Sequence, residues 1–132
     1  MASGIQAESL SERINTIEST YEFMLAYAAQ GRHEEGDPAT SEVRAYLERV
    51  IAAVDGIAGA AMQTVEGRHN ALACHEFITT LADDAGKTLG IMRLILSAKS
   101  ISSQLIDNLN GSIHVRALLT DLFVLDETLK SG

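Results

Sequence analysis

Residues 9–30, SLSERINTIESTYEFMLAYAAQ, carry the clearest indication of the fold class. Ser9 and Glu12 have the spacing of a capping box, in which two side chains satisfy free backbone N–H groups at the start of a helix. Apolar residues then recur in alternating steps of four and three: Leu10, Ile14, Ile17, Tyr21, Met24 and Ala28. This period is typical of a helix that packs along its whole length. We predict a first helix from Ser9 or Leu10 to about Gln30, with Gly31 as its C-cap.

The same period predicts three further helices. After a loop at residues 31–37, Asp37 suits an N-cap and Pro38 a first helical position, so a second helix is expected to run to about Val65 or Glu66. A third pattern extends from near Asn70 to Leu96, and a serine-rich turn at 97–103 separates it from a fourth. The apolar rows are Val43, Leu47, Val50, Val54, Ile57 and Ala61; then Cys74, Ile78, Leu81, Ala85, Leu89, Met92 and Leu96; then Ile101, Leu105, Leu109, Leu118, Leu122, Leu125 and Leu129.

The fourth row changes phase at Asn110-Gly111. A glycine inside a helix costs about 1 kcal/mol, so we expect a kink or a break at this pair. Period-two alternation is not sustained anywhere, which excludes a sheet. The predicted fold is all-α, an antiparallel up-down-up-down four-helix bundle in a single domain over residues 1–132, with residues 1–8 flexible.

Composition limits the possible partners and the location. With 46% hydrophobic and 21% charged residues, the 132-residue chain is globular. Its formal charge of −8 disfavours binding to nucleic acid or to an anionic membrane surface. The single cysteine cannot form an intrachain disulfide, there is no secretory signal pattern, and the apolar runs are too short to cross a bilayer. We therefore expect a cytoplasmic protein.

Small residues suggest one specific packing contact. Ala52, Gly56 and Ala60 form a ridge on the second predicted helix, and a second ridge on the third consists of Ala82, Gly86 and Gly90. Glycine in a helix usually has a packing reason. One hypothesis is that these two helices approach unusually closely; the alternative is that the small residues lie on scattered faces or at an oligomer contact.

Residues 65–80, VEGRHNALACHEFITT, contain the residue types of a metal site. Glu66 and His69 have the E-x-x-H spacing that places two ligands on adjacent turns of a helix. However, the two histidines of the segment, His69 and His75, would lie roughly 120° apart on one helix and cannot bind the same ion from it. A transition-metal or redox site therefore needs a ligand from another helix. The candidate ligands are Glu66, His69, His75, Glu76 and His114.

No catalytic constellation is complete, and none of the motifs points to a known family. Cys74 lies on the apolar row with Ile78, so we expect a buried, unreactive thiol. Gly86-Lys87-Thr88 lacks both the earlier glycine and the preceding strand of a phosphate-binding loop. Asp83-Asp84 and His33-Glu34-Glu35 are interpreted as solvated charge.

The leading hypothesis is a non-catalytic bundle that acts by protein–protein contact, as an adaptor, a chaperone-like protein or a regulatory subunit. Phe23 and Tyr27 lie one turn apart, off the main apolar row, and either form an exposed aromatic contact surface or widen the core. Self-association as a homodimer is expected, because Phe23, Tyr27, Ile51 and Ile95 cannot all face one core. The alternatives are the metal site and a small-ligand pocket in the core lined by Met24, Met62 and Met92; no other cofactor is predicted.

Overall fold

The computed structural model describes residues 9–131, which form six α-helices, one short 3₁₀ helix and no strand. The elements are α1 (Leu10–Ala29), the 3₁₀ helix (Pro38–Thr40), α2 (Glu42–Val54), α3 (Ile57–Val65), α4 (Ala71–Leu96), α5 (Ser103–Asn110) and α6 (Ile113–Lys130). The all-α prediction is confirmed, whereas a four-helix bundle is not, since six helices are counted in this part of the chain. Residues 1–8, predicted to be flexible, lie outside the described residues. None of the described helices is both long and apolar enough to cross a membrane.

Helix α1 begins and ends as its sequence predicts. The Ser9 hydroxyl accepts a hydrogen bond from the backbone N–H of Glu12 at 3.1 Å, and the Glu12 carboxylate accepts one from the N–H of Ser9 at 2.9 Å. The helix ends with Gln30 as the C-cap, followed by Gly31 at a φ of 65°. A glycine in this left-handed conformation ends a helix without the steric penalty that a Cβ would bring.

The prediction of one continuous second helix is wrong, because the structure divides this segment into the 3₁₀ helix, α2 and α3. Asp37 caps only the 3₁₀ helix, and α2 has its own N-cap in Ser41. Helix α2 then ends at Val54, and α3 starts after Gly56, which adopts a φ of 84°. The guanidinium of Arg13 donates hydrogen bonds of 2.7–3.1 Å to the carbonyls of residues 52, 53 and 55, and so satisfies carbonyls freed by the break.

The predicted break in the fourth helical row is confirmed. Helix α5 ends at Asn110, and α6 begins after Ser112, whose hydroxyl accepts a hydrogen bond from the N–H of His114. The buried Asn110 side chain donates a hydrogen bond to the carbonyl of Met24 in α1 at 3.1 Å. The break thus coincides with a polar contact that ties α5 to α1.

The helices enclose one hydrophobic core. Helix α1 packs against α2 and α5, while α4 packs against α3, α6 and α2. Because Asp84 of α4 lies beside Asp121 of α6, and Thr88 bonds to the carbonyl of His114, α4 and α6 run antiparallel. The largest fully buried side chains come from every helix except α1: Val43, Leu47, Val50, Val54, Ile57, Val65, Leu81, Thr88, Ile106, Leu118 and Leu122, with Ile101 from the segment before α5.

The proposed close approach of two small-residue ridges is wrong. Gly56 is not within a helix, so the first ridge is interrupted. Gly86 and Gly90 are exposed on α4, and a Cβ added at either one would meet nothing within 4 Å. The small residues lie on scattered faces instead.

Candidate interaction surface and buried carboxylates

The turn between α3 and α4 separates the candidate metal ligands. Glu66 is the C-cap of α3, and Gly67 reverses the chain with a φ of 79°, so the E-x-x-H spacing does not lie on a helix. Glu66 and His69 are exposed in this turn, and His75 and Glu76 are exposed on α4. Because α3 ends at this turn, Glu66 and His69 do not lie on adjacent turns of one helix, as the E-x-x-H motif requires.

His114, the ligand expected from another helix, is half-buried in the first turn of α6. Its backbone carbonyl accepts a hydrogen bond from the Thr88 hydroxyl of α4 at 3.1 Å. Within residues 9–131, no three His, Cys, Asp or Glu side chains lie together in a group that could hold a metal ion. The structure does not bring the five candidate ligands together. Cys74 is buried with a free thiol, as its place on the apolar row predicts.

Of the two alternatives for Phe23 and Tyr27, an exposed contact surface or a wider core, the structure shows the second. Tyr27 is only 3% exposed, and its hydroxyl donates a hydrogen bond to the carbonyl of Ile101. Burial raises the pKa of Tyr27 above its ordinary value, although the nearby charge of Arg32 opposes this shift. Phe23 is half-buried and stacks on Tyr46 with ring centroids 4.0 Å apart. The structure supports the alternative of a wide core stripe. Ile95 is buried and Ile51 is half-buried against the same core, so the argument that these side chains and the aromatic pair cannot all face one core is wrong.

A small cavity lies in the core where α1, α2, α4, α5 and α6 meet. Its lining is apolar apart from Thr20, Thr88 and Asn110, and it includes Met24 and Met92. The space open to the centre of a water molecule is about 20 Å³, which holds about one water. Met62 is 40% exposed and does not contribute. The three methionines therefore do not line one common cavity.

A buried ion pair connects the loop after α1 to α2 and to the segment before α5. The Glu35 carboxylate accepts hydrogen bonds from the Arg44 guanidinium at 2.6 and 3.2 Å and from the N–H of Ile101 at 2.7 Å. Arg44 also donates to the carbonyls of Leu96 and Ala98. We call these contacts the Glu35 clamp. The interpretation of Glu35 as solvated charge is wrong, because its side chain is buried and paired with Arg44.

The surroundings of Glu35 determine its charge state. Burial alone raises the pKa of this carboxyl group, but hydrogen bonds from Arg44, Ser41 and Ile101, together with the positive charge of Arg44, lower it further than burial raises it. The net pKa is below the ordinary value, so Glu35 is ionised at neutral pH. A buried charge is tolerated here because a cation and hydrogen-bond donors stabilise it.

A second buried carboxyl group has the opposite surroundings. Asp121 of α6 is 7% exposed and lies against Asp84, half-buried on α4. Burial raises the pKa of Asp121 to about 7, and the hydrogen bond to Asp84 and its negative charge contribute to this rise. The Oδ2 atom of Asp121 has no hydrogen-bond partner within residues 9–131. We call Asp84 and Asp121 the carboxyl pair; it holds a proton close to neutral pH.

Exposed apolar side chains concentrate on the same two helices. Of the seven large hydrophobic residues exposed within residues 9–131, five belong to α4 and α6: Leu72, Leu94, Ile113, Phe123 and Val124. A groove between these helices is lined by Asn70, Ala73, Cys74, Phe77, Val124, Leu125 and Thr128. An exposed apolar surface of this kind is typical of an interaction site.

Three of these residues, Leu94, Ile113 and Val124, belong to two rows of exposed or half-buried residues, one on each helix, that we call the outer face; Leu72 and Phe123 lie outside it. The α4 row repeats in alternating steps of four and three and the α6 row in steps of three or four, so each follows one side of its helix. Helix α4 contributes Ala73, Phe77, Thr80, Asp84, Lys87, Ile91 and Leu94, and α6 contributes Ile113, Ala117, Thr120, Val124 and Thr128. All of these residues are half-buried or exposed. Sequence reasoning missed this face because it considered only the inward-facing row of each helix.

A comparison with protein families, with curated proteins and with solved structures finds no match to this chain. The geometry of the molecule is therefore the only basis for a functional proposal.

Proposed function

We propose that this protein is a non-catalytic helical domain that acts through protein–protein contact and that self-associates as a homodimer. The observation that supports the proposal is the outer face, on which exposed apolar side chains of two packed helices lie side by side. Leaving such side chains in water is unfavourable, and covering them with a partner recovers about 25 cal/mol for each Å² of apolar surface. A role as an adaptor, a chaperone-like protein or a regulatory subunit fits this mode of action.

The proposed architecture is an up-down-up-down bundle with four antiparallel segments. Its second segment consists of α2 and α3 with a bend at Gly56, and its fourth consists of α5 and α6 with a break after Asn110. Two contacts support an antiparallel arrangement of the first two segments. Phe23 stacks on Tyr46 near one end of α1, and Arg13 reaches the last turn of α2 near the other end, so α1 and α2 are antiparallel. The cytoplasm is the proposed location, on the ground of the single cysteine.

Light scattering coupled to size-exclusion chromatography tests the self-association. The expected mass at high protein concentration is twice the 14.1 kDa of the chain. The variant Val124→Glu places a charge on the outer face and is expected to yield monomers. Leu25→Glu in α1 is the matched control, since Leu25 is 47% exposed and Val124 is 50% exposed, and this variant is expected to remain dimeric.

The result that overturns the proposal is a wild-type chain that remains monomeric at every concentration up to about 1 mM, where even an association of about −4 kcal/mol becomes visible. A dimer that Leu25→Glu abolishes and Val124→Glu leaves intact would place the contact on another surface.

A further inference from the structure

The residues that α4 contributes to the outer face follow an apolar–polar–apolar order, which is the same in either direction along the helix. Ala73 and Phe77 form an apolar patch at its start, and Ile91 and Leu94 form another at its end. Between them lie Thr80 and the charged residues Asp84 and Lys87. An apolar–polar–apolar order is self-complementary when two copies of a helix pack in opposite directions, because each apolar end then meets an apolar end.

Helix α6 extends both patches. Val124 and Phe77 line the same groove, so Val124 widens the first patch. The hydrogen bond from Thr88 to the carbonyl of His114 places the start of α6 beside the second half of α4, which puts Ile113 at the end of the face that Leu94 occupies. In the second patch Ile113 is 74% exposed and Leu94 is 72% exposed, and in the first patch Val124 is 50% exposed, so both patches have apolar area to bury.

The centre of the face carries neighbouring carboxyl groups. Asp84 of α4 lies beside Asp121 of α6, whose buried Oδ2 atom has no hydrogen-bond partner within the described chain. Lys87 is paired with Asp83 at 3.1 Å, but both side chains are more than half exposed. An exposed pair of this kind contributes little to stability, so Lys87 can exchange this partner for another.

We propose that the outer face binds a second copy of this chain across a two-fold axis, with the two α4 helices antiparallel and Asp84 opposite Lys87 of the partner subunit. This register also sets Phe77 opposite the partner's Leu94 and Thr80 opposite the partner's Ile91. The symmetry repeats each contact twice, as an isologous interface requires. The partner's Lys87 places a positive charge beside the carboxyl pair. This inference rests on the proposed self-association and specifies its surface and register.

Two charge-reversal variants test the register. Lys87→Glu places Asp84 opposite a glutamate in the homodimer, and Asp84→Lys places a lysine opposite Lys87. Each homodimer is expected to dissociate about tenfold more readily than wild type, since like charges then face each other twice. Mixing the two variants is expected to restore a dimer, because both contacts in the heterodimer join opposite charges. Native mass spectrometry of chains with distinct masses measures the proportion of heterodimer.

Lys130→Glu is the matched control. Lys130 forms an intrahelical pair with Asp126 at 2.9 Å, with the same four-residue spacing as the pair of Lys87 with Asp83, but it lies outside the outer face. This variant is expected to dimerise like wild type. Far-UV circular dichroism checks that each variant is folded; these exposed or half-buried positions allow the folded state to be retained.

A disulfide trap tests the same register without changing charge. In a Cys74→Ser background, the double variant Thr80→Cys with Ile91→Cys is expected to form covalent dimers under mild oxidation. The two positions are about 16 Å apart on one helix, too far to bridge within a chain. Thr79→Cys with Gly90→Cys has the same spacing on another side of α4 and is expected to remain monomeric on a non-reducing gel.

The outcomes separate the two proposals. A wild-type chain that never dimerises overturns both. A wild-type dimer that is unaffected by either charge reversal, shows no preference for the heterodimer and yields no trapped dimer overturns this inference and leaves self-association standing.

Discussion

Glu35 and Asp121 are carboxyl groups of nearly equal burial, 6% and 7% exposed, with pKa values shifted in opposite directions. Burial raises the pKa of both. At Glu35 this effect is outweighed by a guanidinium and a backbone N–H, whereas at Asp121 a second carboxyl group adds to it. The comparison teaches that burial by itself does not determine the charge of a group; the neighbours that share its site do.

The largest expected effect is at the Glu35 clamp. Replacing Arg44 with methionine keeps most of the side-chain volume but leaves a carboxylate buried without its cation. Breaking a buried pair in this way is expected to lower the free energy of unfolding by about 3 kcal/mol at pH 7, measured by urea denaturation. Asp83→Asn is the control, because it breaks the exposed pair with Lys87 and is expected to change stability by less than about 0.5 kcal/mol. Equal losses in the free energy of unfolding would contradict this prediction, because the Glu35 clamp would then contribute no more than an exposed ion pair.

The next effect has the opposite sign and depends on pH. The unfolded chain releases the proton of Asp121 near pH 4, whereas the folded chain keeps it until about pH 7. Wild type therefore loses stability as the pH rises through this window. Asp121→Asn removes this loss, so at pH 8 it is expected to stabilise the folded state by about 2 kcal/mol, with no gain at pH 3.5.

This comparison is best made at protein concentrations at which wild type is monomeric, so that no partner subunit contributes charge. Chemical denaturation at a series of pH values measures it. A gain that is the same at pH 3.5 and pH 8 would show that Asp121 is not the titrating group.

The smallest effect concerns the contact of Tyr27 with Ile101, a member of the Glu35 clamp. Ile101 donates its N–H to Glu35 and accepts the hydroxyl of Tyr27 at its carbonyl. Tyr27→Phe removes the second bond and leaves a buried carbonyl, which is expected to cost about 1 kcal/mol at pH 7. Tyr21→Phe, a half-buried tyrosine on the same helix, is expected to be near neutral. Thermal unfolding by circular dichroism compares the two, and equal melting temperatures would show that the clamp holds Ile101 alone.

Features that depend on neighbours in sequence were predictable. The capping box of Ser9 and Glu12 and the break after Asn110 each involve residues within one or two turns, so their residue types indicate the local structure. The division of the second helix was not predictable in the same way. Asp55-Gly56 lies inside an apolar row, and Arg13, which satisfies the carbonyls there, is about forty positions earlier in the chain.

The candidate sites show the same contrast between local features, which are predictable, and long-range contacts, which are not. The E-x-x-H spacing of Glu66 and His69 predicts a shared helical face only if the helix continues, and Gly67 ends that possibility. The burial of Tyr27 depends on the segment before α5, where the distant carbonyl of Ile101 accepts its hydroxyl, and the pattern of α1 does not indicate this contact. The outer face was missed because its second apolar row becomes visible only when α4 and α6 are known to be adjacent.

The sequence by itself determined that the chain is helical, where α1 begins and where α5 ends, since capping, glycine conformation and a period of 3.6 residues are local physical effects. Only the tertiary structure decided that Glu35 is ionised in a clamp, that Asp121 shares its site with another carboxyl group, and that one side of α4 and α6 is left uncovered. Charge state and burial depend on contacts between residues that are distant in sequence, and the local sequence pattern does not indicate these contacts.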